Sequence, residues 1–259
     1  RSIIGWGDEV SSSDAASRGM GDAGAALRSD KAWNPQLEAR SAYASLAAFE
    51  VQIAPQITLI EDDNTSNTIG GSRFPRLSLS VPLGRFGHLG LGYWQRFQKT
   101  FDWSSTTDTT VSLHGEGGAF EAVLGYSLVV PGVRHLALGA TYHRVLGTDR
   151  FFQQDQQKFA DEYSTLTFRD TVSHRFWGDY WTISGYWTQG DFDGGVWFDL
   201  PGEIGVKTER SASGQLFGQV ATDYVDPPAS IGAAGAWRFK PRHAAVAQLS
   251  RTSWEEAIP

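Results

Sequence analysis

The chain has 259 residues and a formal net charge of −7, and its 29 glycines, ten tryptophans and fifteen phenylalanines contrast with a complete lack of cysteine. The acidic excess argues against binding to nucleic-acid phosphates, and the lack of cysteine excludes disulfides, thiolate metal sites and cysteine nucleophiles. No run of about 18 apolar residues predicts a transmembrane helix, whereas about 10 alternating residues suffice for a barrel strand. Many aromatic residues and glycines favour strands and turns.

The first part of the chain, residues 1–38, has no regular alternation of polar and apolar residues. It contains Gly19 and Gly21 within a run of small residues, and the turn-forming pair Asn34-Pro35. Small residues let a backbone pack in a confined space. We therefore predict that residues 1–38 form a plug segment. The start at Arg1, with no leader pattern, is expected of a mature protein whose signal peptide has been removed.

From about Ala39 onward, apolar residues alternate with small or weakly polar ones, as in the segments 49–53, 77–83, 120–128, 136–142, 181–187 and 231–239. Alternation with period two predicts strands. A soluble sandwich also alternates, but its exposed face would carry more lysine and glutamate. Aromatic residues near the strand ends are typical of membrane-interface girdles. The pattern predicts an all-β, transmembrane, antiparallel up-and-down β-barrel of about 12 to 14 strands over residues 39–259.

Turn signals separate the predicted strands. Short turns are predicted at Pro82–Gly84, Pro131-Gly132, Asp193–Gly195, Pro201-Gly202, Pro227-Pro228 and Lys240-Pro241. Longer polar loops are predicted at 61–72, 104–109 and 147–164, and short turns on one rim with long loops on the other are typical of outer-membrane barrels. The chain ends at Pro259 without a terminal aromatic residue. Three explanations are open: C-terminal strands are missing, the strand count is wrong, or a partner completes the wall.

Several motifs resemble the outer-membrane transporter family for long-chain fatty acids and other hydrophobic compounds. They are Gly19-Met20-Gly21 with Asn34-Pro35, the stretch 76–93, and the stretch 228–239 followed by Trp254. The chain departs from the family at Gln36, where the family usually has alanine, and in its final strands. The resemblance implies a monomeric barrel whose N-terminal hatch blocks the lumen, and a hydrophobic small-molecule ligand. Related barrels also serve as scaffolds in secretion assemblies.

Residue patterns for catalysis or metal binding are weak. The six histidines are scattered without a recognised ligand spacing, and the acidic clusters at 61–63, 161–162 and 191–193 are better explained by loop solvation. No Gly-x-Ser-x-Gly or Walker-type loop occurs. We therefore expect no enzyme activity, no metal site and no cofactor.

A fatty-acid carboxylate would need a cation at the end of an apolar cavity. By strand phase, Arg96, Arg144 and Arg238 are the candidate headgroup contacts, with Arg169 and Arg175 as further candidates. The alternative is that these arginines pair with acidic neighbours such as Glu121 or Glu50, or extend to the rim.

These patterns predict a barrel of the bacterial cell outer membrane, surrounded by membrane lipid or detergent, that transports fatty-acid-like hydrophobic molecules. The first alternative is a scaffold subunit that uses the same barrel and contacts other envelope proteins. The second is a soluble extracellular β-protein that binds carbohydrate through exposed tryptophans. Nucleic acid is not an expected partner.

Overall fold

A computed structural model describes residues 8–9, 25–26, 33–62, 65–106, 109–158, 165–212, 215–225, 229–240 and 243–252. These residues form one antiparallel sheet of twelve strands and two short 3₁₀ helices, Glu38–Tyr43 and Gly84–Phe86. The strands are β1 (Asp8–Glu9), β2 (Ala48–Asp62), β3 (Thr65–Pro82), β4 (His88–Gln98), β5 (Phe101–Thr106), β6 (Thr109–Val129), β7 (Leu136–Lys158), β8 (Thr165–Gln189), β9 (Phe192–Ala212), β10 (Gln215–Val225), β11 (Ser230–Lys240) and β12 (His243–Thr252). In this part of the chain, no helix is long and apolar enough to span a membrane.

The main path through the sheet is β12-β11-β9-β8-β7-β6-β4-β3-β2. In two places, two consecutive strands pair with the same neighbour. Strands β4 and β5 both pair with β6, and strands β10 and β11 both pair with β9. The predicted all-β antiparallel architecture is confirmed. Within the described residues, β2 pairs only with β3 and β12 only with β11, so the sheet is not closed into a barrel.

The long polar loops predicted at 61–72, 104–109 and 147–164 are wrong over their described parts, because strands continue through them. The β2–β3 ladder extends to Asp62 and Thr65, and the β7–β8 ladder extends to Lys158 and Thr165. Contacts between cross-strand side chains can support such ladders. For example, the Arg169 guanidinium lies 4.5 Å from the centre of the Phe152 ring.

The predicted short turns have mixed outcomes. Those at Pro82–Gly84 and Pro131-Gly132 are confirmed, since each lies between the end of one strand and the start of the next. The turns at Asp193–Gly195 and Pro201-Gly202 are wrong, because both lie inside β9. The chain reverses earlier, at Gly190, whose positive φ of 59° suits glycine, and Pro201-Gly202 instead coincides with a register shift against β8. The Pro227-Pro228 pair lies outside the described residues.

The two faces of the sheet separate as the alternation predicts. On β8, Tyr180, Thr182, Ser184 and Tyr186 are buried, whereas the intervening Trp181, Ile183 and Trp187 are exposed. We call the first set the inward face and the second the outward face. Strands β6, β7 and β11 show the same alternation between buried inward positions and more exposed outward positions. The outward face is therefore both apolar and exposed, the reverse of what water favours.

The buried core lies on the inward face. Its largest apolar cluster combines residues near the N-terminus with four strands: Ala25, Ala26, Leu37, Ala39, Ala137, Tyr186, Trp197, Ala234 and Ala236. A smaller cluster joins Trp33, Trp94 and Val123. A third joins Val145, Tyr180 and Ile204.

Candidate functional site on the inward face

Residues 33–43, which we call the docked segment, lie against the inward face. At its start, the Asn34 Oδ1 atom accepts a hydrogen bond from the Gln36 backbone N–H at 3.0 Å, so the Asn34-Pro35 turn predicted from the sequence is formed locally. The Pro35 carbonyl accepts a hydrogen bond of 2.8 Å from Thr141 Oγ1 on β7. The other two residues of the predicted plug motif, Gly19 and Gly21, lie outside the described residues.

Single hydrogen bonds to several strands hold the docked segment in place. The Ala39 backbone N–H donates to Ser184 Oγ on β8 at 3.0 Å, and the Arg76 guanidinium on β3 donates to the Trp33 carbonyl. The Tyr43 hydroxyl donates to the Arg134 carbonyl at 3.1 Å. The first two of these bonds satisfy a backbone N–H and a backbone carbonyl that burial would otherwise leave unpaired.

Glycines on the strands make room for this contact. A Cβ atom added at Gly139 would lie 2.4 Å from the Ala39 backbone nitrogen, and one added at Gly195 would lie 2.6 Å from Leu37 Cδ2. Both distances are too short for real side chains, so the backbone of the sheet and the docked segment can approach only where the strand residue is glycine. Glycine at these alternating positions is visible in the sequence, but its partner is not.

Glu38 is the most deeply buried charged residue of the docked segment, with 0% of its surface exposed. Its Oε1 atom lies 3.1 Å from His88 Nδ1 and accepts a hydrogen bond of 3.1 Å from Ser127 Oγ, and Oε2 accepts one from the Trp33 indole N–H. Burial raises the pKa of the Glu38 carboxyl, against the opposing effect of these hydrogen bonds. Sequence reasoning missed this group because His88 and Ser127 lie 50 and 89 residues away along the chain.

A second polar network crosses the inward face at another level. Glu121 on β6 accepts a hydrogen bond of 2.8 Å from the Tyr180 hydroxyl, and its second oxygen lies 3.3 Å from His143 Nδ1. On the far side of the imidazole, Thr182 Oγ1 lies 3.0 Å from His143 Nε2 and donates a hydrogen bond of 2.6 Å to Asp199. The Thr182 hydroxyl proton is thus committed to a carboxylate. We therefore interpret this hydroxyl–imidazole–carboxylate order as a structural network rather than a nucleophile triad.

The three candidate arginines are all ion-paired, as the sequence alternative allowed. On the inward face, Arg96 Nε lies 3.3 Å from Glu121 Oε1, and Arg238 Nη2 lies 3.0 Å from Asp193 Oδ2. Arg144 shares the phase of the exposed Leu138 and pairs at 2.9 Å with Asp179, so it lies on the outward face. The three do not converge on one site. Their role as headgroup contacts stays a prediction.

Two grooves are lined largely by outward-facing side chains. One has a volume of about 750 Å³ and an apolar lining that includes Leu138, Ile183, Val196 and Ile231. The other has a volume of about 1010 Å³ and a lining that mixes aromatic and cationic residues. Among the residues with described positions, no group of three or more histidines and acidic residues could hold a metal ion.

The fold and the site together define an all-β protein with one antiparallel sheet, an apolar outward face, and an inward face of polar and apolar residues that holds residues 33–43. No protein-family model matches the chain, and no curated protein matches its sequence.

Proposed function

We propose that this protein is a β-barrel of the bacterial outer membrane, that residues 1–38 and the docked segment form its plug, and that it transports fatty-acid-like hydrophobic molecules. The observation that carries the membrane proposal is the inside-out burial. Leu79, Leu124, Leu138, Ile183 and Ile231 are each at least 43% exposed, while serines and threonines on the same strands are buried. In water this arrangement would lose much of the hydrophobic free energy of folding, whereas in lipid it is favourable.

The length of the apolar belt fits a membrane. On β8, the outward face runs from Asp179 through Trp181, Ile183, Gly185 and Trp187 to Gln189. Ten residues of strand span about 33 Å, or about 25 Å along the membrane normal for a strand tilted by about 40°. The interval between the two polar residues thus matches the apolar band of outer-membrane barrels, and each tryptophan lies about 5 Å inside one end of it, as an interface anchor would.

A membrane location requires closure of the sheet, because unpaired backbone groups on a strand edge are costly in lipid. The edges of β2 and β12 must therefore pair with each other, with further strands of the chain, or with a partner. Phase partitioning and gel migration test the membrane proposal directly. We expect the protein to enter the detergent phase and to migrate differently before and after heating. Recovery in the aqueous phase would favour the soluble carbohydrate-binding alternative.

Transport needs a route past the docked segment, which lies across β4, β6, β7 and β8. The way the segment is held supports a movable plug. Its backbone is held by separate hydrogen bonds to Ser184 and Thr141, and it buries a carboxyl group, Glu38, whose raised pKa means that the ionised form is bound less favourably. The resemblance to the fatty-acid transporter family supports the same proposal.

A disulfide lock tests whether the segment must move. The chain has no native cysteine, so Ala39→Cys combined with Ser184→Cys, at positions whose backbone nitrogen and Oγ atoms are 3.0 Å apart, can form no other intramolecular disulfide. We expect the oxidised double variant to lose uptake of radiolabelled oleate and to recover it after reduction, while each single variant behaves like the parent. Uptake that is unaffected by oxidation would contradict a moving plug.

The second candidate function is a scaffold, and the packed inward face favours it. Three buried clusters and two polar networks fill that face in the described residues. A scaffold needs no internal cavity. If it is correct, we expect no oleate binding and no uptake in the parent protein, and co-purification of other envelope proteins from mildly solubilised membranes.

A further inference from the structure

The groove of about 1010 Å³ opens on the outward face where the wall is interrupted. Strand β4 ends at Gln98 and β5 resumes at Phe101, while β6 runs past the gap through Gly117 and Gly118. Both glycines have positive φ, of 96° and 155°, and an added Cβ atom at either would lie about 2 Å from a backbone oxygen of a neighbouring strand. The floor of the groove is therefore formed by glycine backbone, and the groove is deep because these glycines have no side chains.

Three cations line this groove: Arg144, Arg175 and Lys207. Arg144 is neutralised by Asp179, and Lys207 Nζ lies 2.6 Å from Glu209 Oε1. Arg175 forms no ion pair among the described residues, although its charge also acts on Glu209. Arg175 and Lys207 are directly opposite each other in the β8–β9 ladder. Like charges at such positions repel each other, and Glu209 offsets only part of this repulsion because it is one carboxylate facing two cations, so a bound anion would add further stabilisation.

The position of these cations relative to the apolar belt indicates the source of the anion. Arg175 lies four residues beyond Asp179 on β8, which is about 10 Å past the border of the belt for a strand tilted by about 40°. Tyr93, Phe120 and Trp177 line the groove as well. The groove therefore lies at the depth of the lipid headgroups, where its cations and aromatic side chains are complementary to an amphiphile.

We propose that this groove binds the phosphate headgroup of a membrane lipid, with Arg175 and Lys207 as the phosphate ligands. The Arg175 guanidinium can donate two parallel hydrogen bonds to phosphate oxygens, and Lys207 adds a point charge. The outward-facing Thr148 hydroxyl, opposite Arg175 in the β7–β8 ladder, supplies a further donor. The acyl chains then lie along the outward apolar face. This inference rests on the proposed membrane orientation.

Binding of dioleoyl phosphatidic acid to the full chain in a neutral detergent, measured by native mass spectrometry, tests the site. We expect Arg175→Gln and Lys207→Gln each to weaken binding about tenfold or more, since each removes a charge-assisted contact. Dioleoylglycerol, which has the same chains without phosphate, should bind at least about tenfold more weakly than phosphatidic acid. The matched control is Arg134→Gln, an exposed cation in the turn at the opposite end of the sheet, which should bind like the parent.

Stability without lipid separates lost binding from lost folding. Because Arg175→Gln removes both a repulsion from Lys207 and an attraction to Glu209, we expect the urea midpoint of unfolding to stay close to the parental value while lipid affinity falls. A folded Arg175→Gln variant with parental affinity for phosphatidic acid would overturn the proposal, as would equal binding of dioleoylglycerol. Displacement of the lipid by equimolar inorganic phosphate would show a site for free anions instead. Phase partitioning tests the membrane proposal separately from lipid binding. Recovery of the protein in the aqueous phase would refute the proposed membrane orientation, but it would not refute an anion site at Arg175 and Lys207.

Discussion

Replacement of Ile183 by arginine tests whether the outward face meets lipid or water. Ile183 is on β8, between Trp181 and Trp187 and near the middle of the apolar belt, and 46% of its surface is exposed. Phe168 on the same strand is 47% exposed and lies eleven residues before Asp179, well outside the belt. The two positions therefore match in strand and exposure, whereas Phe168 has the inward phase of Thr182 and lies beyond the proposed membrane.

The expected magnitudes differ sharply between the two solvents. An arginine on the lipid face near the bilayer midplane costs about 2 to 4 kcal/mol, which lowers the folding equilibrium constant by about 30-fold or more. At an exposed position in water, the same change stays within about 0.5 kcal/mol. We therefore expect a large destabilisation for Ile183→Arg and a small one for Phe168→Arg.

The assay is urea titration of folding into lipid vesicles, followed by the shift in gel migration between unheated and heated samples. Free energies of unfolding are compared for the parent and both variants at one lipid-to-protein ratio. If the two substitutions change the free energy of unfolding equally, to within about 0.5 kcal/mol, the assignment of the outward face to lipid is refuted.

Three further substitutions test the inward face. Gly139→Val should expel the docked segment, because its Cβ would lie 2.4 Å from the segment backbone, and limited proteolysis should then cleave within residues 33–43. Gly185→Val is the control, because its nearest contact would be 3.8 Å away on the outward face, and it should leave the cleavage pattern unchanged. Because burial raises the pKa of Glu38, its protonated form is favoured in the folded state. The free energy of unfolding should therefore fall as pH rises through the raised pKa. Urea titrations at several pH values should show that Glu38→Gln flattens this dependence. Tyr180→Phe removes a buried hydrogen bond to a carboxylate and should cost about 1.5 to 3 kcal/mol of unfolding free energy. The half-buried Tyr142 is the control: its hydroxyl makes only a solvent-exposed hydrogen bond of 3.4 Å to Asp179, so Tyr142→Phe should cost less than about 0.5 kcal/mol, and equal costs would contradict the buried network.

Period-two alternation in the sequence is enough to assign strands and their phase. The division into faces on β8 and β11 follows directly from whether each position is odd or even, because successive side chains point to opposite sides of a strand. Strand length is not predictable in the same way. Segments such as 153–158 are polar on both faces, and only their pairing with β8 makes them strands.

The sequence by itself determined the all-β class, the phase of the strands and the local turn at Asn34-Pro35, since each depends on residues within a few positions of one another. Only the tertiary structure decided which groups meet on the inward face. Glu38 with His88 and Ser127, and Glu121 with His143 and Tyr180, come together because strands distant in sequence are neighbours in the sheet. Hydrogen bonds between such residues depend on pairing register, and a shift of one residue would reverse every side chain on a strand.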